Sequence, residues 1–181
     1  MWPSYTRAQL IKPQSIDIHK NKFHLSETEF REIQQLCKHA KPIFNPDKKR
    51  LQYDLKKNSK IFKKIAAFLS NENFLNKYEI GGIVILHSKK GCQQQKWHMD
   101  YDPQTLYDMN VKPRGLIIAL QDNTKFVIPF KNYILNKGDV LSFSGDVIHA
   151  GAHYDEENTR IHIYLDIPDV KRKKNTTWFL S

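Results

Sequence analysis

Cysteine is nearly absent from the chain. Cys37 and Cys92 fall in separate expected elements and leave neither a disulfide framework nor a cysteine-based zinc site. No run of roughly 18 apolar residues occurs, so no helix is expected to span a membrane. The stretch Met1-Trp2-Pro3-Ser4-Tyr5-Thr6-Arg7 has no continuous apolar segment after a basic start, and no signal peptide is expected. These absences point to a reducing, intracellular setting, cytoplasmic or nuclear. Internal repeats and low-complexity segments are lacking as well. The 181 residues, with 40% apolar and 12% aromatic content, are therefore expected to form one domain with a real core.

Acidic residues are in deficit, 19 against 29 Lys and Arg, for a net charge of +10. The cations are spread through Asp47-Lys48-Lys49-Arg50, Lys56-Lys57, Lys63-Lys64, Lys89-Lys90 and Lys171-Arg172-Lys173-Lys174. Such a surface attracts polyanions, and clustered Lys/Arg is the first sign of nucleic-acid contact. The clusters are short and dispersed, so the plainer account is a set of solvated faces. The last cluster is the densest and reads as a binding or targeting element, after which Trp178-Phe179-Leu180 are expected to dock on the domain.

Two helices precede a run of strands. Ser26-Glu27-Thr28-Glu29 is a capping box, and Phe30, Ile33, Cys37 and Ala40 follow at helical spacing, so residues 26 to about 40 are expected to be helical, with Pro42 as the stop. Ser59 caps a second helix with Ile61, Phe62, Ile65, Phe68 and Leu69 in one apolar stripe. From Tyr78 the pattern shortens to strands at 78–87, 95–101, 115–121, 125–129, 140–143, 147–152 and 160–167. Seven or eight short strands fit a jelly-roll barrel, giving a mainly β fold with N-terminal helices. The expected layout is a helical support region at 1–77, a β core at 78–168 and a basic tail at 169–181. The helices would buttress one sheet against faces such as Trp97/Met99 and Ile161/Ile163.

Within this frame His98-Met99-Asp100 places an imidazole and a carboxylate at i and i+2 of a strand, on one face, with Trp97, Met99 and Tyr101 on the other. His149 follows in a second apolar run. Two imidazoles and one carboxylate on one face of an octahedron form the set that iron(II) takes, with the opposite face open. Eleven residues later Arg160, His162 and Tyr164 share one strand face, and Ile161, Ile163 and Leu165 the other. A second HxD, His153-Tyr154-Asp155, lies in a charged turn with only His162 after it, too close for another pair of strands. His153 therefore reads as a loop or outlying residue.

Gly91-Cys92-Gln93-Gln94-Gln95-Lys96-Trp97-His98-Met99-Asp100, followed by Gly138-Asp139-Val140-Leu141-Ser142-Phe143, His149-Ala150-Gly151 and Arg160, resembles the iron(II) and 2-oxoglutarate dependent dioxygenase superfamily. The resemblance covers about half of the chain, from Tyr78 to about Pro168. Gln95-x-x-His98-x-Asp100 is similar to the pattern of the phytanoyl-CoA dioxygenase branch, on three matched letters. The resemblance implies a double-stranded β-helix, a cupin-like barrel, with His98, Asp100 and His149 as iron ligands and catalytic centre. It implies that 2-oxoglutarate chelates through its 1-carboxylate and keto oxygen, leaving one position for O₂. Arg160 would clamp the distal carboxylate, a task suited to a planar guanidinium. Gln95, three residues before His98, is a candidate outer donor, and His162 and Tyr164 are candidate co-substrate contacts because they share the face of Arg160. The implied reaction hydroxylates a substrate, or demethylates it by way of hydroxylation, with release of succinate and CO₂.

On the residues alone other readings stay open. Arg160 could salt-bridge Asp155 or Glu156, and His149 could be a core histidine bonded to backbone. The chain could be a catalytically silent cupin-like metal protein, with zinc or nickel on His98, Asp100 and His149 and His153 as a possible fourth ligand. It could also be a nucleic-acid-binding module with a structural metal. Arg160 discriminates, because a binding module has no need of a carboxylate clamp. His19, His24, His39 and His87 show no partner spacing. Tyr101, Tyr107 and Met109 could line a substrate mouth or cover the barrel end. The substrate and the oligomeric state are not written in any motif, and basicity favours an acidic or macromolecular substrate.

Overall fold

Ser26 caps helix α1 (Glu27–Cys37) in the computed structural model, which describes residues 15–43, 48–174 and 176–179. The heptad read for a signal peptide, Asp47 and Leu180 lie outside the described residues. Ser26 Oγ accepts the Glu29 N–H and the Glu29 carboxylate accepts the Ser26 N–H, so two orphan donors of the first turn are satisfied reciprocally. The helix stops at Cys37, short of Ala40, because the chain tightens there: the N–H groups of Lys38, His39 and Ala40 bond three residues back. Ser59 caps α2 (Lys60–Asn71), whose Ile61, Ile65 and Leu69 are fully buried. A four-residue α3 (Pro103–Leu106) follows the HxD segment.

The strands are β1 (Ile16–His19), β2 (Lys41–Pro42), β3 (Arg50–Asp54), β4 (Glu79–Ser88), β5 (His98–Met99) and β6 (Arg114–Ala119). They continue with β7 (Thr124–Ile128), β8 (Lys131–Leu135), β9 (Val140–Ser144), β10 (Ala150–Gly151), β11 (Asn158–Asp166) and β12 (Trp178–Phe179). Seven of them form one sheet in the order β1-β9-β6-β11-β4-β3-β2. Opposite lie β10-β7-β8 and β12-β5, joined by the antiparallel bridge between His98 and His149. The two layers make the mainly β, double-stranded β-helix with helices on one side.

Side-chain alternation explains the layering. Along β11, Ile161, Ile163 and Leu165 point outward into the cluster formed with Ile33, Ile61, Ile65 and Leu69 of the helices. Arg160, His162 and Tyr164 point inward. Along β6, Leu116 and Ile118 join the helix-side cluster while Ile117 and Ala119 pack between the sheets with Phe126, Leu141 and Phe143. Each fully buried Ile or Leu contributes about 1.5–3 kcal/mol to this packing.

The helices cover Ile161/Ile163 but not Trp97/Met99. Trp97 packs instead on Cys92, Val127, Ala152 and Tyr154 in the opposite layer. The first 77 residues carry strands as well as helices, with β1 paired to β9 and β3 to β4 within the large sheet. No helix among the described residues is long and apolar enough to cross a membrane.

Candidate metal centre

His98 stands on β5 and Asp100 just beyond it, while His149 is brought alongside by two backbone hydrogen bonds of 2.9 Å between the His98 and His149 peptide groups. The ligand-type atoms of His98, Asp100 and His149 all lie within 4.8 Å of one another, and the three residues are 4–6% exposed. The expected strand at 95–101 is thus only two residues long. The convergence comes from the bridge between strands as much as from the i, i+2 alternation.

Both imidazoles are oriented by the backbone two residues earlier. His98 Nδ1 lies 2.8 Å from Lys96 O and His149 Nδ1 lies 2.9 Å from Val147 O. A carbonyl can only accept, so each Nδ1 carries the proton and each Nε2 presents a lone pair inward. Burial, and then the facing His149, push His98 down to about 4, which keeps it neutral. Burial alone would raise Asp100, but this carboxylate favours a second proton on His149, and that positive charge, together with His162, outweighs burial and holds the carboxyl well below the usual range. Asp100 Oδ2 is buried without a hydrogen-bond partner among the described residues. A buried, ionised oxygen left orphaned between two inward lone pairs is a donor set that fits a divalent metal.

The other expected site residues fall around this centre. His162 Nε2 is 3.3 Å from Asp100 Oδ2, also buried and without a hydrogen-bond partner among the described residues, and its ring lies 4.2 Å from that of Tyr164 at a 39° tilt. Arg160 is 3% exposed, donates to Ser88 Oγ at 3.0 Å and lies 5.2 Å over the Tyr154 ring. It forms no ion pair among the described residues: Asp155 bonds His153 and Glu156 bonds Lys90 instead. His153, half-exposed at the surface in that pair, does not reach the metal cluster, which removes it as a fourth ligand. Gln95 lines the cavity but donates to neither ligand. Its Oε1 accepts the Gly151 N–H and its own N–H bonds Gly151 O, so it fixes β10 beside His149. Gly151 has no room for a side chain, since a Cβ would meet Gln95 Oε1 and the Arg50 guanidinium.

Several residues were hidden in the sequence. Arg50, part of a cluster read as solvated, is 1% exposed and donates to Ser88 Oγ, Gln93 O and Ala152 O. Its neighbour Leu51 begins a short alternation, but nothing local marks Arg50 as inward. The tail also returns to the site: β12 pairs with β5 in the register Phe179 to His98, and the Phe179 ring sits 5.9 Å from that of His98. Arg172 lies 3.7 Å over the Tyr164 ring. Tyr101 and Met109 pack with Leu106, Ile167 and Val170 and close the barrel end, and Tyr107 is exposed; none of the three lines the cavity.

The cavity holding the three ligands has a volume of about 930 Å³, enough for a co-substrate and part of a second molecule. Leu86, Ile117 and Phe126 form its apolar wall, while β3 and the tail segment around Arg172 and Phe179 frame its mouth.

No family model matches the chain, and no curated protein matches it. Solved structures do. HygX from Streptomyces hygroscopicus, with nickel and 2-oxoglutarate bound, superposes with a TM-score of 0.67 at 11% identity over 94% of this chain and 91% of that one. The viral collagen prolyl hydroxylase of Paramecium Bursaria Chlorella virus-1, in its 2-oxoglutarate complex, gives 0.59 at 16% identity over 83% and 94%. A Pseudomonas putida prolyl-4-hydroxylase gives 0.57 at 12% identity over 89% and 94%. The chain has the double-stranded β-helix fold of the 2-oxoglutarate and iron(II) oxygenases, with its two histidines and one aspartate converging between the sheets.

Proposed function

We propose that this chain is an iron(II)- and 2-oxoglutarate-dependent oxygenase that hydroxylates, or demethylates by way of hydroxylation, a C–H bond of its substrate. The observation that carries the reading is Arg160, a buried guanidinium with no carboxylate partner among the described residues, on the strand face that also presents His162 to Asp100. A buried cation lacking a counter-charge is costly by several kcal/mol, and a distal carboxylate arriving beside it offsets that cost. The neighbours solved with 2-oxoglutarate support the same assignment.

His98, Asp100 and His149 would hold the metal, the imidazoles through Nε2 and the carboxylate through Oδ2. Iron(II) with 2-oxoglutarate and O₂ supplies oxidative decarboxylation to succinate and CO₂ coupled to oxidation of the substrate. The chain's own part is orientation. The Lys96 and Val147 carbonyls fix the two rings, Arg160 and Ser88 fix the far end of the co-substrate, and Leu86, Ile117 and Phe126 keep water from the reacting centre. His162, next after Arg160 on this face and beside Asp100, would contact the co-substrate, Tyr164 lies one step beyond it, and Gln95 braces the strand beside His149. Acidic molecules, nucleic acid among them, are the substrates to screen first, given the net charge of +10.

The test is succinate formation from 2-oxoglutarate by iron-loaded protein in air, with an acidic substrate panel. Succinate is expected, above a protein-free control and abolished in Asp100→Ala. Its absence with full iron occupancy would remove the oxygenase reading.

A further inference from the structure

Among the described residues two guanidiniums line the cavity, and 2-oxoglutarate needs only one. Its 1-carboxylate belongs at the metal and its distal carboxylate at Arg160. That leaves Arg172, on the segment after β11, with no assigned anion.

The geometry around Arg172 is specific. Its backbone N–H donates to Asp166 Oδ1 at 3.1 Å, and its guanidinium is spread 3.7 Å over the ring of Tyr164. One terminal nitrogen donates to Thr176 O at 3.3 Å, whereas Nε is buried without a hydrogen-bond partner among the described residues. Lys171 and Lys174, on either side in sequence, are each paired, with Glu79 at 2.5 Å and Asp54 at 2.7 Å. Among the described residues Arg172 forms no such pair. Asp54, a carboxylate of the same cavity, is engaged by Lys174 and by the Gln52 amide.

The charge balance points the same way. Among the described residues six cationic side chains line the cavity against two carboxylates, Asp54 and Asp100. Adding one divalent metal and one 2-oxoglutarate dianion leaves that excess unchanged, so it is available to the third component, the substrate. Position completes the argument. On the inward face of β11, His162 stands between Arg160 and Tyr164, and four strand residues span about 13 Å. Arg160 and the Tyr164–Arg172 stack therefore flank the metal residues from two ends.

We propose that Arg172 is a substrate-binding residue: it holds a carboxylate or phosphate group of the substrate beside the metal, at the end of the cavity away from Arg160. The proposal rests on the oxygenase reading above and assigns that enzyme an anionic substrate whose oxidised carbon is near the acidic group. The fit is chemical, since a guanidinium held 3.7 Å over an aromatic ring still has N–H donors for a planar or tetrahedral oxyanion.

The experiment is calorimetry without oxygen on the full chain. The protein is first titrated with 2-oxoglutarate in the presence of manganese(II), then with inorganic phosphate or, separately, N-acetylaspartate. One equivalent of one probe is expected to bind the loaded protein, phosphate if the substrate is a phosphate ester and N-acetylaspartate if it is a carboxylic acid. Arg172→Gln should weaken that binding about 10-fold or more, as expected for loss of charge-assisted hydrogen bonds. Arg172→Lys, which keeps the charge, should recover part of it, and both variants should titrate with 2-oxoglutarate as the parent does. The proposal is overturned if neither probe binds, if Arg172→Gln binds the probe as tightly as the parent, or if Arg172→Gln loses 2-oxoglutarate instead. Failure of the parent to bind 2-oxoglutarate in the first titration overturns the oxygenase reading itself, separately from the second step.

Discussion

Both histidines of the candidate metal centre are held by the carbonyl two residues before them, Lys96 for His98 and Val147 for His149. This device leaves no sequence signal, because any residue supplies the carbonyl. It also explains why Gln95, the side chain expected to act as outer donor, is spent on Gly151 instead. The convergence of His98 and Asp100 was legible because HxD is a local pattern and strand alternation is reliable over two residues. Arg50 and Arg172 were not, since the inward placement of a cation depends on distant partners: the Gln93 and Ala152 carbonyls for one and the Tyr164 ring for the other. Separate roles predict separable defects. Arg160→Gln should weaken 2-oxoglutarate binding about 10- to 100-fold with metal retained, as for a lost charge-assisted pair. His98→Ala should instead lose the metal. Metal analysis and anaerobic 2-oxoglutarate titration check both, and unchanged 2-oxoglutarate affinity in Arg160→Gln would refute the clamp.

Elements with a local cause were predictable, and those made by pairing were not. The capping box of α1 and the Ser59 cap of α2 lie within three residues of sequence, and both helices start where these signals put them. β11 reads from its alternation because one face meets helices and the other meets the site. β1, β8 and β12 were missed. β1 and β12 are short strands that exist through partners far away in sequence, and β8 is an edge strand with mostly outward residues. The α1 cap has a pH signature. The Lys64 ammonium first, and the Ser26 N–H second, hold Glu29 down from 4.5 to about 2. An acid depressed in the folded state stabilises it fully above its unfolded pKa and loses that contribution as pH falls toward the folded one. Relative to Glu29→Gln, the parent should therefore be more stable by on the order of 1–3 kcal/mol at neutral pH. The difference should be constant above about pH 4.5 and shrink toward pH 2. Urea unfolding of both proteins across that range checks it, and a pH-independent difference would show that the cap acts without its charge.

At the scale of the whole molecule the excess positive charge is not evenly dispersed. The tail cluster, read as a binding or targeting element, folds back so that Lys171 and Lys174 meet carboxylates and Arg172 enters the cavity. With a net charge of +10 behind a cation-lined mouth, capture of an acidic substrate should slow severalfold between about 0.05 and 0.3 M salt. Stopped-flow association rates measure this, and a flat salt profile would mean that the field does not steer entry. The overall β architecture was readable because its strands are bounded by turn residues. The closure of the site over the tail was not, since β12 is two residues whose pairing with β5 is fixed only in three dimensions. That closure has a consequence for the chain as it is made. His98 leaves the ribosome before either of its flanking segments exists, so the candidate metal cluster cannot close until His149 has followed. The other edge of its strand then stays bare until Phe179 emerges, an interval on the order of a few seconds at ordinary rates of synthesis. During that interval the half-formed strand offers unpaired backbone to any passing chain, an exposure that a length of two residues limits to a few peptide groups.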